Sequence, residues 1–77
     1  MNYDEYFLEY IKKLGNNIQK LRKKRNISIN ELSEKTGIRA EYLKKIENGK
    51  AYRVTLNRHL SKIANVLNIK LFELLKI

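Results

Sequence analysis

The stretch "ISINELSEKTG", residues 27–37, constrains this fold more than any other, because it marks where one helix starts and where it must stop. Ser28 is a natural N-cap, its hydroxyl placed to accept from a backbone N–H of the first turn, and Glu31 three residues later completes a capping box. Ile27 ahead of the cap and Leu32 at the fourth helical position form a hydrophobic staple. Gly37 tolerates the left-handed conformation in which a chain leaves a helix sharply. The signals predict a helix of about eight residues beginning at residue 29. A helix that short is not stable alone in water, so its neighbours must hold it.

Apolar residues at helical spacing predict those neighbours. Leu14, Ile18 and Leu21 share one face of a first helix over residues 14–25, which ends in the charged run "RKKRN". After Gly37, the stretch "IRAEYLKKIENGK" puts Tyr42, Leu43 and Ile46 on one side, with Arg39 and Glu47 at its margins and Asn48-Gly49 as the stop. A fourth helix is predicted over residues 56–67, with Leu56, Leu60, Ile63, Ala64 and Leu67 inward, Thr55 as its cap and Asn68 at its end. A short last helical turn lies in "KLFELLKI". Proline is absent and glycine occurs three times, which favours helices joined by tight turns. The predicted class is all-α, five helices packed as one compact unit.

Length and composition exclude several functions. Seventy-seven residues support one small core, and the lack of cysteine removes disulfides and thiolate metal sites. No apolar run approaches the roughly 20 residues that span a bilayer, and "MNYDEYF" has neither the basic start nor the apolar stretch of a signal peptide. A soluble, cytoplasmic protein is expected, with no membrane partner. His59, the only histidine, has neither a second histidine nor clustered carboxylates to work with, so neither a metal nor a cofactor nor catalysis is expected. Surface packing is its expected role.

The net charge is +9, unevenly spread. Residues 1–13 carry three acidic and two basic groups, whereas residues 14–53 carry eleven basic and four acidic ones. A basic surface concentrates polyanions and speeds their encounter. On the third helix Ala40, Glu41, Lys44, Lys45 and Asn48 make a polar stripe opposite the apolar side. A helix anchored by its back, with a polar front and a glycine turn before it, suits a major groove about 12 Å wide.

Residues 18–50, "IQKLRKKRNISINELSEKTGIRAEYLKKIENGK", resemble the lambda-repressor-like, Cro-type (XRE) family of helix-turn-helix DNA-binding proteins. The shared pattern is a basic first helix, a capped second helix, a Gly-Ile turn, a recognition helix and a closing Glu-Asn-Gly. With "LSKIANVLNIKLFELL" resembling the fourth and fifth helices, the likeness covers residues 14–75. It implies that residues 39–48 form the recognition helix, with Arg39, Ala40, Glu41, Lys44 and Lys45 as base-contacting candidates. Lysine donates to guanine O6 and N7, glutamate accepts from the cytosine amine, and the alanine methyl touches a thymine methyl. The phosphate-contacting candidates are Asn48, Lys50 and Arg53 after that helix and Asn30 at the start of the second. Arg22 and Glu47 match a partly buried ion pair of the family. Ile29 departs from the glutamine usual there and cannot hold a phosphate, so that contact is expected to be lost or replaced by a neighbour such as Asn30. Val54 and Lys70 likewise replace a common proline and a common helix cap.

Residues 1–13 lie outside the likeness and carry Tyr3, Tyr6, Phe7 and Tyr10; the domain proper is taken as residues 14–77. Phe7 and Ile11 continue the spacing of Leu14, Ile18 and Leu21, so the first helix is expected to extend back to about Asp4 and through Gly15. The extension is expected either to fold back on helices four and five or to pair with a second copy. A homodimer on an inverted repeat is expected, since one recognition helix reads only a few base pairs and two gain affinity on half-sites about 34 Å apart. Too little chain remains for a separate small-molecule effector domain. The resulting expectation is a sequence-specific double-stranded DNA-binding regulator of transcription acting as a repressor or activator. The alternative is a protein-interaction module, like an antitoxin, with DNA binding secondary.

Overall fold

Asp4 opens the first helix by accepting from the Tyr6 N–H through its carboxylate at 2.7 Å, and the helix then runs unbroken through Gly15. The computed structural model describes residues 4–52 and 56–76, with the side chains of all of these but Leu56 and Asn57. Five helices follow in order: α1 (Glu5–Lys24), α2 (Ile29–Thr36), α3 (Ala40–Glu47), α4 (Leu56–Val66) and α5 (Leu71–Leu75). Among the described residues there is no strand, and no helix is long and apolar enough to cross a membrane. The expected cap Thr55, together with Arg53 and Val54, lies outside the described residues.

The start of α2 and the ends of α1 to α4 have identifiable local causes. Ser28 Oγ accepts from the Glu31 N–H at 3.0 Å, and the Glu31 carboxylate stands 3.6 Å from Lys35 Nζ one turn on. Gly37 ends α2 at φ +77°. Three further ends share one arrangement, in which crossed hydrogen bonds return to the last turn around a left-handed residue. After α1 that residue is Asn26, with Asn26 N–H to Lys23 O at 3.0 Å and Ile27 N–H to Arg22 O at 3.2 Å. After α3 it is Gly49, with Gly49 N–H to Ile46 O at 3.1 Å and Lys50 N–H to Lys45 O at 2.8 Å. After α4 it is Asn68, with bonds to Asn65 O and Ala64 O. Lys70 provides no side-chain cap for α5.

The core is the set of apolar stripes brought face to face. Ile11, Leu14 and Ile18 of α1 meet Leu32 of α2, Leu43 and Ile46 of α3, Leu60, Ile63, Ala64 and Leu67 at α4, and Leu74 of α5. Ile27 and Ile29 pack against its edge. The first turns of α1 lie against the loop after α3, where Lys12 meets Gly49, and against α5, where Tyr10 Oη donates to Leu75 O at 3.5 Å; the α4 backbone packs on α2 and α5. Asn17 Nδ2 donates to Leu74 O at 2.8 Å, which ties α1 to the final helix. Periodicity reports which side of a helix is apolar and not which neighbour covers it, and that is why α3 takes the place expected for α4.

Candidate nucleic-acid interface

The turn between α2 and α3 is held by side chains of α2. Ser33 Oγ donates to Ile38 O at 2.5 Å, while Thr36 Oγ1 accepts from the Ile38 N–H at 3.1 Å and donates to Leu32 O at 2.7 Å. Both backbone groups of Ile38 are therefore satisfied, and Ile38 itself is buried. This sets the direction in which α3 leaves the turn. Nothing in the spacing of Ser33 and Thr36 announces it, since either would pass for a small helix residue.

From that turn α3 is pinned along its back. Leu43 and Ile46 are buried and Tyr42 is half-buried. At its C-terminal end Arg22 grips Glu47 with two prongs, Nε to Oε2 at 2.7 Å and Nη2 to Oε1 at 3.1 Å. Arg22 Nη1 also donates to Ile27 O at 2.7 Å, so the same guanidinium secures the α1–α2 turn. The two side chains are 9% and 4% exposed, which makes this a well-buried pair. α1 and α3 meet in tight backbone contact at Gly15, where an added Cβ would lie 2.7 Å from Glu47 O and nearer still to Ile46 O.

What faces outward is basic and polar. Arg39, the N-cap residue, is exposed, as are Glu41, Lys44, Lys45, Asn48 and Lys50, whereas Ala40 is half-buried. Asn30 is exposed in the first turn of α2, while Ile29 beside it turns partly into the core. Arg53 lies outside the described residues. Arg39, Glu41 and Lys45 come together around an open cleft of about 410 Å³, lined also by Gly37, Ile38, Tyr42 and His59. The family model for the Cro/C1-type helix-turn-helix DNA-binding domain matches residues 17–77. The chain belongs to that family. Among curated proteins no relative matches it.

As in any Cro/C1-type domain, the helix-turn-helix pair here is a DNA-binding element. One of its neighbours was not foreseen as part of the site. His59 of α4 meets Tyr42 edge-on at a ring-centroid separation of 5.0 Å, and among the described residues the buried Tyr42 Oη and His59 Nδ1 find no hydrogen-bond partner. Desolvation lowers the His59 pKa below 6.5, and the positive charges of Lys62 and Arg58 lower it further. A depressed pKa means that the unfolded chain takes up the proton first. The His59 contribution to stability is therefore complete above about pH 6.5 and is lost as pH falls through the folded-state value. The melting temperature is expected to drop between pH 7.5 and 5.5, above the range in which ordinary carboxylates titrate. A His59→Phe variant should show a flatter dependence over the same interval.

Proposed function

We propose that this chain is a sequence-specific regulator of transcription that binds double-stranded DNA as a dimer on an inverted repeat, with residues 39–48 in the major groove. The observation that carries this is the two-sidedness of α3. Leu43, Ile46 and the Arg22–Glu47 pair hold its back, and Arg39, Glu41, Lys44 and Lys45 are exposed in front. Lys45 and Glu41 lie four residues apart on one face, so a guanine and a cytosine amine are the complementary base features. Asn48, Lys50, Asn30 and Arg53 would meet phosphate. The dimer places two such helices one turn of DNA apart. Exposed apolar groups for the pairing are present at Tyr6, 82% exposed, and at Phe72, 61% exposed.

Fluorescence titration of labelled duplexes over a salt series tests this. Affinity should fall steeply with salt, with a log–log slope of about −0.9 per phosphate contacted. Lys45→Ala should change the preferred base at one position of each half-site, at a discrimination cost of about 1–3 kcal/mol. Lys50→Ala should weaken all sequences alike and reduce the slope by about 1. Equal behaviour of the two variants would overturn the division into base and phosphate contacts. The absence of any preference among duplexes at low salt would overturn sequence-specific binding, and a monomer on saturated DNA in sedimentation would overturn the dimer.

A further inference from the structure

Phe7, Lys12 and Gly15 all precede the span matched by the family, and all three meet a single feature, the end of α3 and the loop that leaves it. The Phe7 ring lies against Tyr52 at a centroid separation of 6.4 Å and an interplanar angle of 47°. The backbone of Gly49 is so close to α1 that an added Cβ would lie 2.8 Å from Lys12 Cγ and 2.9 Å from Lys12 Cα. Gly15 touches the carbonyls of Ile46 and Glu47 in the same way. Positions 7, 12 and 15 fall along one side of α1 over roughly 12 Å, with buried Ile11 among them. They form a rail beneath the loop.

We propose that the first turns of α1 act as a positioning strut for the segment Asn48–Lys50, with Phe7 as the residue that clamps its far end through Tyr52. This rests on the DNA-binding reading and adds to it a part of the chain that the family domain does not include. The loop is fixed at Gly49 by the hydrogen bond to Ile46 O and by the stem of Lys12. Buried Ala51 fixes it again two residues on. Tyr52 follows, and its ring contact with Phe7 limits how far the loop swings. Asn48 and Lys50, both exposed, take their direction from that backbone. Phe7 is a positioning residue here, acting through Tyr52 and touching no DNA itself.

The test is Phe7→Ala in the full chain. Phe7 is 38% exposed, so its truncation should leave the helices folded by circular dichroism. Amide hydrogen exchange at Gly49 to Tyr52 should accelerate about two- to tenfold, the range of an aromatic pair contact, with α2 and α4 unchanged. Affinity for every duplex should fall by a similar factor, with a salt slope smaller by about one phosphate and an unaltered order of base preference. Phe7→Tyr, which keeps the ring, should restore loop exchange, affinity and slope. Unchanged loop exchange would overturn the strut, and so would a loss of melting temperature with affinity and slope intact, or a variant that no longer folds. If the unaltered chain shows no salt-dependent DNA binding, the function proposed above fails, while loop exchange still decides the strut.

Discussion

Gly15→Ala is expected to lower stability by about 1–3 kcal/mol, the usual cost of forcing extra atoms into a packed contact. Helix propensity alone predicts the opposite sign, a gain of about 1 kcal/mol for alanine over glycine inside a helix. The decision falls to the neighbours of the new methyl. They are the carbonyls of Ile46 and Glu47, backbone atoms that cannot rotate aside, with Glu47 C also at 2.9 Å. Relief requires α1 and α3 to separate, and the same movement would strain the Arg22–Glu47 pair at the end of the shared seam. Urea denaturation measures the difference directly. A rise in the midpoint would show that the two helices part without resistance there.

Glu47→Ala should cost more, about 3–5 kcal/mol, because it strands a desolvated guanidinium. A domain of this length has a total stability on the order of 4–12 kcal/mol, so the variant stands near the edge of folding. Arg22 would still reach Ile27 O, but that carbonyl satisfies one of its donors and leaves its charge uncompensated. The double replacement Arg22→Met with Glu47→Leu is expected to recover much of the loss, since it removes both charges from the interior. Denaturant titration of the two single variants and the double variant gives the coupling energy of the pair. Coupling below about 0.5 kcal/mol would show that the buried geometry carries no net interaction.

The elements that were legible in the sequence are those whose causes are local. Ser28 and Gly37 bound α2 because a cap and a left-handed exit act within a few residues of the helix they terminate. The apolar faces of α3 and α4 followed from helical spacing for the same reason, since Leu43, Ile46, Leu60 and Ile63 need only share a side of their own helix. The Arg22–Glu47 pair was accessible through family resemblance, with Glu47 at the margin of the apolar side of its helix. Gly15 was not, because what it accommodates is the backbone of another helix 31 and 32 residues further along the chain. Likewise the bonds of Ser33 and Thr36 to Ile38 depend on a turn that exists only once α3 is docked. The Tyr42–His59 contact joins α3 and α4 at the wall of the cleft, and no spacing on either helix encodes it. Of the site itself, the exposure of Glu41, Lys44, Lys45 and Asn48 was legible, whereas the half-burial of Ala40 and the exposure of Arg39, placed at the margin of the apolar side, were not.

The continuity of α1 from Glu5 to Lys24 has a consequence for how this sequence is able to change over time. Lys12 abuts Gly49, Gly15 abuts the end of α3, and Arg22 closes on Glu47, all along one unbroken helix. Adding or deleting one residue between these points would turn everything beyond it by about 100° and move it by about 1.5 Å. Gly15 and Arg22 would no longer face α3 together. Chain length between residues 12 and 22 is thus held fixed by three separate contacts, while the exposed side chains on the outer face, such as Lys13, Asn16 and Lys20, are free to be exchanged. Substitution is tolerated where an insertion or deletion is not.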